Sequence, residues 1–315
     1  MVQKFGIGQP VPRFEDPRLL TGGGRYTDDN KLTNETHAYI LRSPYAHANI
    51  LSIDVSAAKS LPGVIEVLTG QDYVDDGYGK LACTPKQKRR DGSPMFEPEN
   101  PVLVLNQVKM VGDYIAMIIA ETIHQAKDAA EVIKVDFEPL PTVSTPFEAA
   151  QPGATRVWEN SEDNTCFVHL CGDKEKTDKA FETATHVVGG ALPVNRSAHV
   201  TMEPRGAVAE YNKGAETLTL YTGVHYPWQL REELALKIFG MSETKVRVVA
   251  GDMGGSFGLR GGTYREHVLV CWASIKIGRP VKWVCERSEG FMTVSYTHLR
   301  AHETRHDLVC RLLLE

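Results

Sequence analysis

Lys245-Val246-Arg247-Val248-Val249-Ala250-Gly251-Asp252-Met253-Gly254-Gly255-Ser256-Phe257-Gly258 is the stretch whose reading decides the rest. Lys245 to Ala250 alternates and is rich in β-branched residues, so it reads as a strand. Gly251, Gly254, Gly255 and Gly258 then let the backbone turn sharply and lie bare against a neighbour. Successive unhindered N–H groups in such a turn can form a concave anion site. Phe257, inside the cluster, is placed to wedge or cover a ring. The spacing is not G-x-G-x-x-G and no Gly-Lys-Ser/Thr follows, so the dinucleotide and P-loop fingerprints are both absent. The alternative for the same residues is a glycine-rich turn with no ligand.

Working outward, a strand, Thr217 to Thr222, precedes an amphipathic helix, Pro227 to Phe239, which Gly240 stops. Leu230, Leu234, Ala235 and Ile238 form its apolar stripe. After the glycine cluster, Tyr264 to Ser274 reads as a helix and Pro280 to Cys285 as a strand. Upstream, His186 to Leu192 and Gly206 to Tyr211 read as strands, and Asp178 to Thr183 as the start of a short helix. Residues 143–165 read as an irregular linker.

The N-terminal part has its own pattern. Residues 1–20 carry Pro10, Pro12 and Pro17 and read as an extended arm packed against something else. Thr36 to Leu41, Asn49 to Val55 and Val64 to Thr69 read as strands, with Ser56 capping a short helix between the last two. Residues 71–100 are polar and turn-rich and read as an exposed insertion. The Gly112-Asp113 turn leads into Tyr114 to Ala120, a continuous apolar run of buried-strand character. Thr122 to Ile133 is helical with Ala126, Ala129, Ala130 and Ile133 on one face, and Val132 to Glu138 returns as a strand. This is a compact α/β or α+β unit.

Composition bounds the function classes. The chain has 315 residues, 42% hydrophobic and 24% charged, with a net charge of −5 and a pI near 6.1. That argues against a nucleic-acid footprint, and Lys86-Gln87-Lys88-Arg89-Arg90 reads as a solvated loop. No apolar run reaches membrane-spanning length, and the first residues lack a signal-peptide core, so the expected location is the cytoplasm. Cys83, Cys166, Cys171, Cys271, Cys285 and Cys310 form no C-x-x-C, and they are expected to be reduced and mostly buried thiols.

Several blocks in order resemble the molybdenum-cofactor-binding large subunit of the xanthine dehydrogenase, aldehyde oxidase and carbon monoxide dehydrogenase family. They are Arg42-Ser43-Pro44-Tyr45-Ala46-His47-Ala48 with Leu61-Pro62-Gly63-Val64 and the Val111-Gly112 to Pro141 unit; Asn195-Arg196 through Met202-Glu203-Pro204-Arg205-Gly206; and the helix from Pro227 into the glycine cluster. The resemblance implies an α+β fold: an N-terminal α/β hammerhead domain at 21–142, then the first part of a cofactor-binding α+β domain at 143–293. Residues 1–20 remain an arm, and 21–142 is expected to fold more independently than 143–293. It also implies a molybdenum-pyranopterin cofactor, as the cytosine dinucleotide in bacterial members. Gly254, Gly255, Ser256, Phe257 and Gly258 are then the expected cofactor residues, with the metal held by the dithiolene and not by the protein. The cofactor carries the hard chemistry and the protein orients it.

By the same resemblance the reaction is hydroxylation of an aldehyde or N-heterocycle, or oxidation of carbon monoxide, with water as oxygen source. Electrons would leave through iron–sulfur and FAD-binding partner subunits, in a dimer of heterotrimers. The alternative is a non-catalytic binding or assembly module on the same scaffold. The chain also departs from the family pattern. Gly223-Val224-His225-Tyr226-Pro227 lacks a Gln that members often place there, leaving His225 as a possible substitute donor. Leu259-Arg260-Gly261 stands where some members carry a substrate-contacting Glu. Members are more than twice this length, and their general-base Glu lies in the later half, so no catalytic residue is assigned. Glu203 reads as a loop-structuring carboxylate, paired with Arg205.

One motif points elsewhere. His302-Glu303-Thr304-Arg305-His306 matches H-E-x-x-H, and on a helix the two histidines would share a face, with His298 one turn earlier. Only nine residues follow His306, with no further ligand. The sequence leaves the family pattern after Thr293, and residues 294–315 resemble a non-native tail translated from sequencing adaptor. They are set aside from the fold, and a zinc hydrolase is the disfavoured reading.

Overall fold

The computed structural model describes residues 12–83, 86–89, 91–168, 171–190 and 198–292. Residues 1–11 of the arm, Asn195-Arg196, Cys310 and the whole 294–315 segment, with its H-E-x-x-H motif, lie outside the described residues.

The elements follow from local sequence. A short helix, α1 (Asp16–Leu20), opens the described chain. β1 (Thr36–Arg42), β2 (Ala48–Asp54), α2 (Ser56–Lys59), β3 (Val64–Thr69) and α3 (Gly70–Asp75) come next. Ser56 is the first residue of α2 and not its cap; the Asp54 carboxylate instead accepts from its backbone N–H at 3.0 Å. β4 (Gln107–Val108) and β5 (Tyr114–Ala120) lead to α4 (Ile123–Glu131), whose cap Thr122 accepts from the Gln125 N–H. β6 (Lys134–Pro139), α5 (Pro146–Ala149) and α6 (Lys174–Thr183) follow. β7 (Gly206–Asn212) and β8 (Thr217–Thr222) form a hairpin. α7 (Pro227–Glu232) runs on as a π-helical segment, Glu233–Phe239, and ends at Gly240 with φ 62°. β9 (Val246–Val249), α8 (Arg265–Ile277), β10 (Val281–Val284) and α9 (Arg287–Met292) complete the described residues.

Among the described residues, seven strands form one mixed sheet in the order β3-β5-β1-β10-β7-β8-β9, and β4-β2-β6 form a second. The large sheet crosses the boundary at 142/143 drawn from the sequence. β1 pairs in parallel with β10, Thr36 opposite Val281. β5 explains its own apolar run: it is buried along its whole length because its two faces serve two cores. Ile115, Ile118 and Ala120 pack with Ala126 and Ala129 of α4. Tyr114, Met117 and Ile119 belong to a larger core with Trp272 and Trp283 from the second half. The N-terminal strands therefore share a core with residues 206–285.

Further expectations are corrected. His186–Gly190 is exposed coil and not a strand. The 71–100 stretch is less of a free insertion than its polarity suggests. Tyr73, Leu81 and Met95 are buried, and Tyr73 packs edge-on against Trp272 with ring centroids 5.0 Å apart. The described cysteines are free but not mostly buried as expected: Cys271 and Cys285 are buried, Cys83 and Cys166 half-buried and Cys171 exposed.

Candidate cofactor-binding turn

β9 delivers the chain into the glycine turn beside β8, and the turn is fixed from two sides. On one side the arm holds Asp252. Arg18 donates to both carboxylate oxygens at 2.7 Å, and the Arg25 N–H adds a contact at 2.8 Å. The Asp252 N–H returns a bond to the Arg25 carbonyl at 3.1 Å. The arm thus packs against the glycine turn. The hydrogen bond from Arg18, then that from Arg25, holds the Asp252 carboxyl well below the usual carboxylate range.

On the other side stands Glu203. Its carboxylate accepts from the Gly254 N–H at 2.8 Å, the Thr27 N–H at 3.0 Å and Arg260 at 2.7 Å. Glu203 is a structuring carboxylate, but its partner is Arg260. Arg205 pairs with Glu266 at 2.7 Å instead. Glu203 and Arg205, separated by Pro204, are thus engaged by different partners, Arg260 and Glu266. Arg205 joins a buried group at the seam between the two halves. Burial opposes ionisation of Glu266, yet Arg205 and then His267 keep its carboxyl below the ordinary range. Tyr114 donates to Glu266 at 2.9 Å, and Arg265 meets Asp113 at 2.8 Å.

Arg260 is the residue that sequence reading missed. It is 2% exposed and donates to the Gly255 carbonyl at 3.0 Å and the Glu203 carbonyl at 3.0 Å, besides the Glu203 carboxylate. Its own carbonyl accepts from the His225 N–H at 2.9 Å. It therefore binds three loops together, and the Leu259-Arg260-Gly261 segment is structural at its centre. The only hint in the sequence is an arginine two positions after the last glycine of the cluster.

The expected cofactor residues fall together. Gly255 and Gly258 adopt φ +104° and +95°, where a side chain is strained. Phe257 adopts φ 50° and is 72% exposed, so it stands out from the surface and wedges into nothing. The Ser256 hydroxyl accepts from the Arg260 N–H at 3.3 Å. Among the described residues, the backbone N–H groups of Gly255, Ser256, Phe257 and Gly258 have no protein acceptor. Four successive donors in a left-handed, glycine-containing turn suit an oxygen-rich or anionic group. The His225 ring is exposed and close to Tyr226, with centroids 6.1 Å apart. No group of three His, Cys, Asp or Glu side chains among the described residues is placed to hold a metal.

Comparison with known proteins bears on this geometry. Residues 21–141 match the aldehyde oxidase and xanthine dehydrogenase a/b hammerhead domain, and residues 157–307 match the molybdopterin cofactor-binding domain. The chain belongs to the molybdenum hydroxylase family of xanthine dehydrogenase and aldehyde oxidase. Within this molybdenum hydroxylase family, the carbon monoxide dehydrogenase large chain of Afipia carboxidovorans is 35% identical over 92% of this chain and 36% of its own length. The nicotine 6-hydroxylase large subunit of Paenarthrobacter nicotinovorans is 33% identical over 93% of this chain and 35% of its own length. The crystal structure of quinoline 2-oxidoreductase from Pseudomonas putida 86 superposes with a TM-score of 0.82 at 35% identity, covering 89% of this chain and 35% of that one. The chain thus spans about a third of the length of these molybdenum hydroxylases.

A cavity of about 460 Å³ is lined by the 261–266 segment that follows the turn. Gln229, Glu233, Gly261, Thr263, Tyr264 and Trp158 are among its lining residues. It joins polar groups to an aromatic wall, the usual character of a small-molecule cleft.

Proposed function

We propose that this chain contributes the first part of the cofactor site of a molybdenum hydroxylase large subunit. The reaction would hydroxylate an aldehyde or N-heterocycle, or oxidise carbon monoxide. The observation that carries the reading is the run of four N–H donors at 255–258 without a protein acceptor among the described residues, held by the Glu203–Arg260 pair on one side and the arm on the other. When bound, the molybdenum cofactor supplies oxygen transfer from water and uptake of two electrons. Gly254, Gly255, Ser256, Phe257 and Gly258 would hold its pterin and oxygen groups by backbone N–H donation and close approach. Phe257, standing clear of the surface, would cover the pterin edge.

His225 is held by its backbone to Arg260 and keeps its ring free, which suits donation to an oxygen of the bound group. Glu203 is already engaged by three donors and is not a proton acceptor for the reaction. The base would come from other parts of the subunit, and the substrate would approach through the cavity at Gln229 and Thr263.

The pterin would be the cytosine dinucleotide form. Iron–sulfur and FAD-binding subunits would take the electrons, in a dimer of heterotrimers in the cytoplasm. Support for partners comes from relatives that are themselves named as subunits or chains of larger enzymes. No described helix is long and apolar enough to cross a membrane.

The test is metal analysis. The complete subunit, produced with its partners in a host that makes the cofactor, should carry about one molybdenum per chain. It should reduce a dye when given aldehydes, N-heterocycles or carbon monoxide. Protein that is folded but free of molybdenum and pterin would overturn the reading.

A further inference from the structure

The geometry assigns to the Glu203–Arg260 pair the job of aiming the donor face of the glycine turn; the assignment rests on the function proposed above. In a trans peptide, the C=O of one residue and the N–H of the next point in opposite directions. The Gly254 carbonyl accepts from the Glu203 N–H at 3.2 Å, so the Gly255 N–H must point away from Glu203. The Gly255 carbonyl accepts from Arg260 Nε at 3.0 Å, so the Ser256 N–H must point away from Arg260. The Ser256 carbonyl accepts from the Leu259 N–H at 2.8 Å, which turns the Phe257 N–H outward in the same way. Three carbonyls are spent on protein donors, and each N–H group that follows points away from the donor its preceding carbonyl has taken.

The pair is built for this job. The Arg260 side chain is 1% and the Glu203 side chain 11% exposed, and Arg260 spreads its fork over the Glu203 carboxylate, the Glu203 carbonyl and the Gly255 carbonyl. Lysine keeps the charge but presents a point of donors and not a planar fork. The approach is also close: a Cβ at Gly254 would sit 2.4 Å from Glu203 Cβ, so the turn lies directly on this side chain. Arg260 and Glu203 are therefore positioning residues. They act on the bound group through the backbone of 254–257.

The experiment uses the complete subunit with its partners. Arg260→Lys and Glu203→Gln are compared with wild type and with Arg42→Lys. Arg42 belongs to another buried ion pair, with Glu289 at 2.8 Å, and serves as a control for general loss of packing. Molybdenum and pterin per folded chain are measured beside Tm, with amide hydrogen exchange of the 251–262 peptide in cofactor-free protein. Arg260→Lys and Glu203→Gln should load cofactor on the order of tenfold more weakly, the effect typical of a lost supporting partner at a metal site. Their exchange at 251–262 should quicken, while Arg42→Lys should lower Tm without reducing molybdenum per folded chain. Normal loading in Arg260→Lys, with wild type also loaded, would overturn the positioning role and leave the function standing. Equal loss of loading in Arg42→Lys would overturn it too, because the effect would then be general. Wild type without molybdenum would overturn the functional reading, and the positioning role with it.

Discussion

Arg18 clasps Asp252 with two guanidinium nitrogens, each at 2.7 Å, across 234 positions of chain. The bidentate geometry fixes the arm to the residue that opens the glycine turn. Asp252→Asn should release it. Proteolysis at Arg18 and Arg25 should quicken at neutral pH, with little change in Tm. Unchanged cleavage there would show that the arm docks by other means. The same pair sets a pH dependence. The Asp252 carboxyl titrates lower in the folded chain than in the unfolded one. Its contribution is therefore complete above the ordinary aspartate range, near pH 4, and is lost as the pH falls below that. Hydrogen exchange of residues 16–26 should be flat from pH 7 to 5, after correction for intrinsic rates, and should rise below about pH 4.

Gly254→Ala should be worse than its size suggests. The new methyl would meet Glu203 Cβ at 2.4 Å, and Glu203 is tied down by Thr27 and Arg260. Overpacking of this kind costs about 1–3 kcal/mol. Gly262→Ala is the control, since nothing lies within 4 Å of its Cβ position and its φ is ordinary. Urea unfolding of the two variants should separate them by that margin; equal midpoints would refute the close approach.

Phe257→Gly should stabilise the chain. An exposed Phe at φ 50° gives little burial and holds a left-handed backbone, a strain of about 1 kcal/mol that glycine removes. Thermal unfolding should show a small rise in Tm. If Phe257 covers the pterin, turnover should fall in the same variant, because that wall is gone. A lower Tm would mean that the ring packs against part of the protein in solution.

His267 supplies a second pH window. Burial lowers its pKa to about 4, with Arg205 and Arg260 adding to the shift and Glu266 opposing it. The neutral ring bonds the Tyr264 N–H through Nδ1 at 3.2 Å and lies 3.3 Å from the Thr222 hydroxyl. A histidine with a depressed folded pKa favours the fold above its unfolded value, near 6.5. That contribution declines as the pH falls from there toward 4. The full swing is on the order of 3 kcal/mol. Urea unfolding at pH 7.5 and pH 5 should show about 2 kcal/mol of it, and His267→Gln should flatten the difference. An undiminished slope in that variant would assign the acid sensitivity to other groups.

The parts legible in the sequence were those governed by local pattern. Tyr114 to Ala120 announced a buried strand because every residue is apolar, and Gly240 announced a helix end because only glycine turns left-handed there without strain. Gly254 to Gly258 were legible as a bare turn for the same reason. What escaped depends on contacts between distant positions. Nothing local distinguishes Arg260, at the centre of three loops, from a surface arginine, and nothing near Glu203 says that its partner is 57 residues on and not two. The prolines of the arm imply packing on a neighbour, but the bond from Arg18 to Asp252 has no local signature. The β1–β10 pairing was invisible for the same reason, since strand partners far apart in sequence leave no periodic trace.

That pairing has a consequence for how such a molecule can arise and be divided. β1 lies between β5 and β10, so a gene segment encoding only residues 21–142 would turn an interior strand into an open edge. Thr36 and His37 would lose their β10 partners, and Ala38 and Ile40 would lose the core they share with the tryptophans of the second half. Open apolar edges recruit other strands. The hammerhead and the cofactor half therefore make poor separate units of exchange between genes, and drift in β1 is answerable to β10. A designer seeking a soluble hammerhead would need to carry Val281–Val284 along, or replace it with a strand supplied in trans.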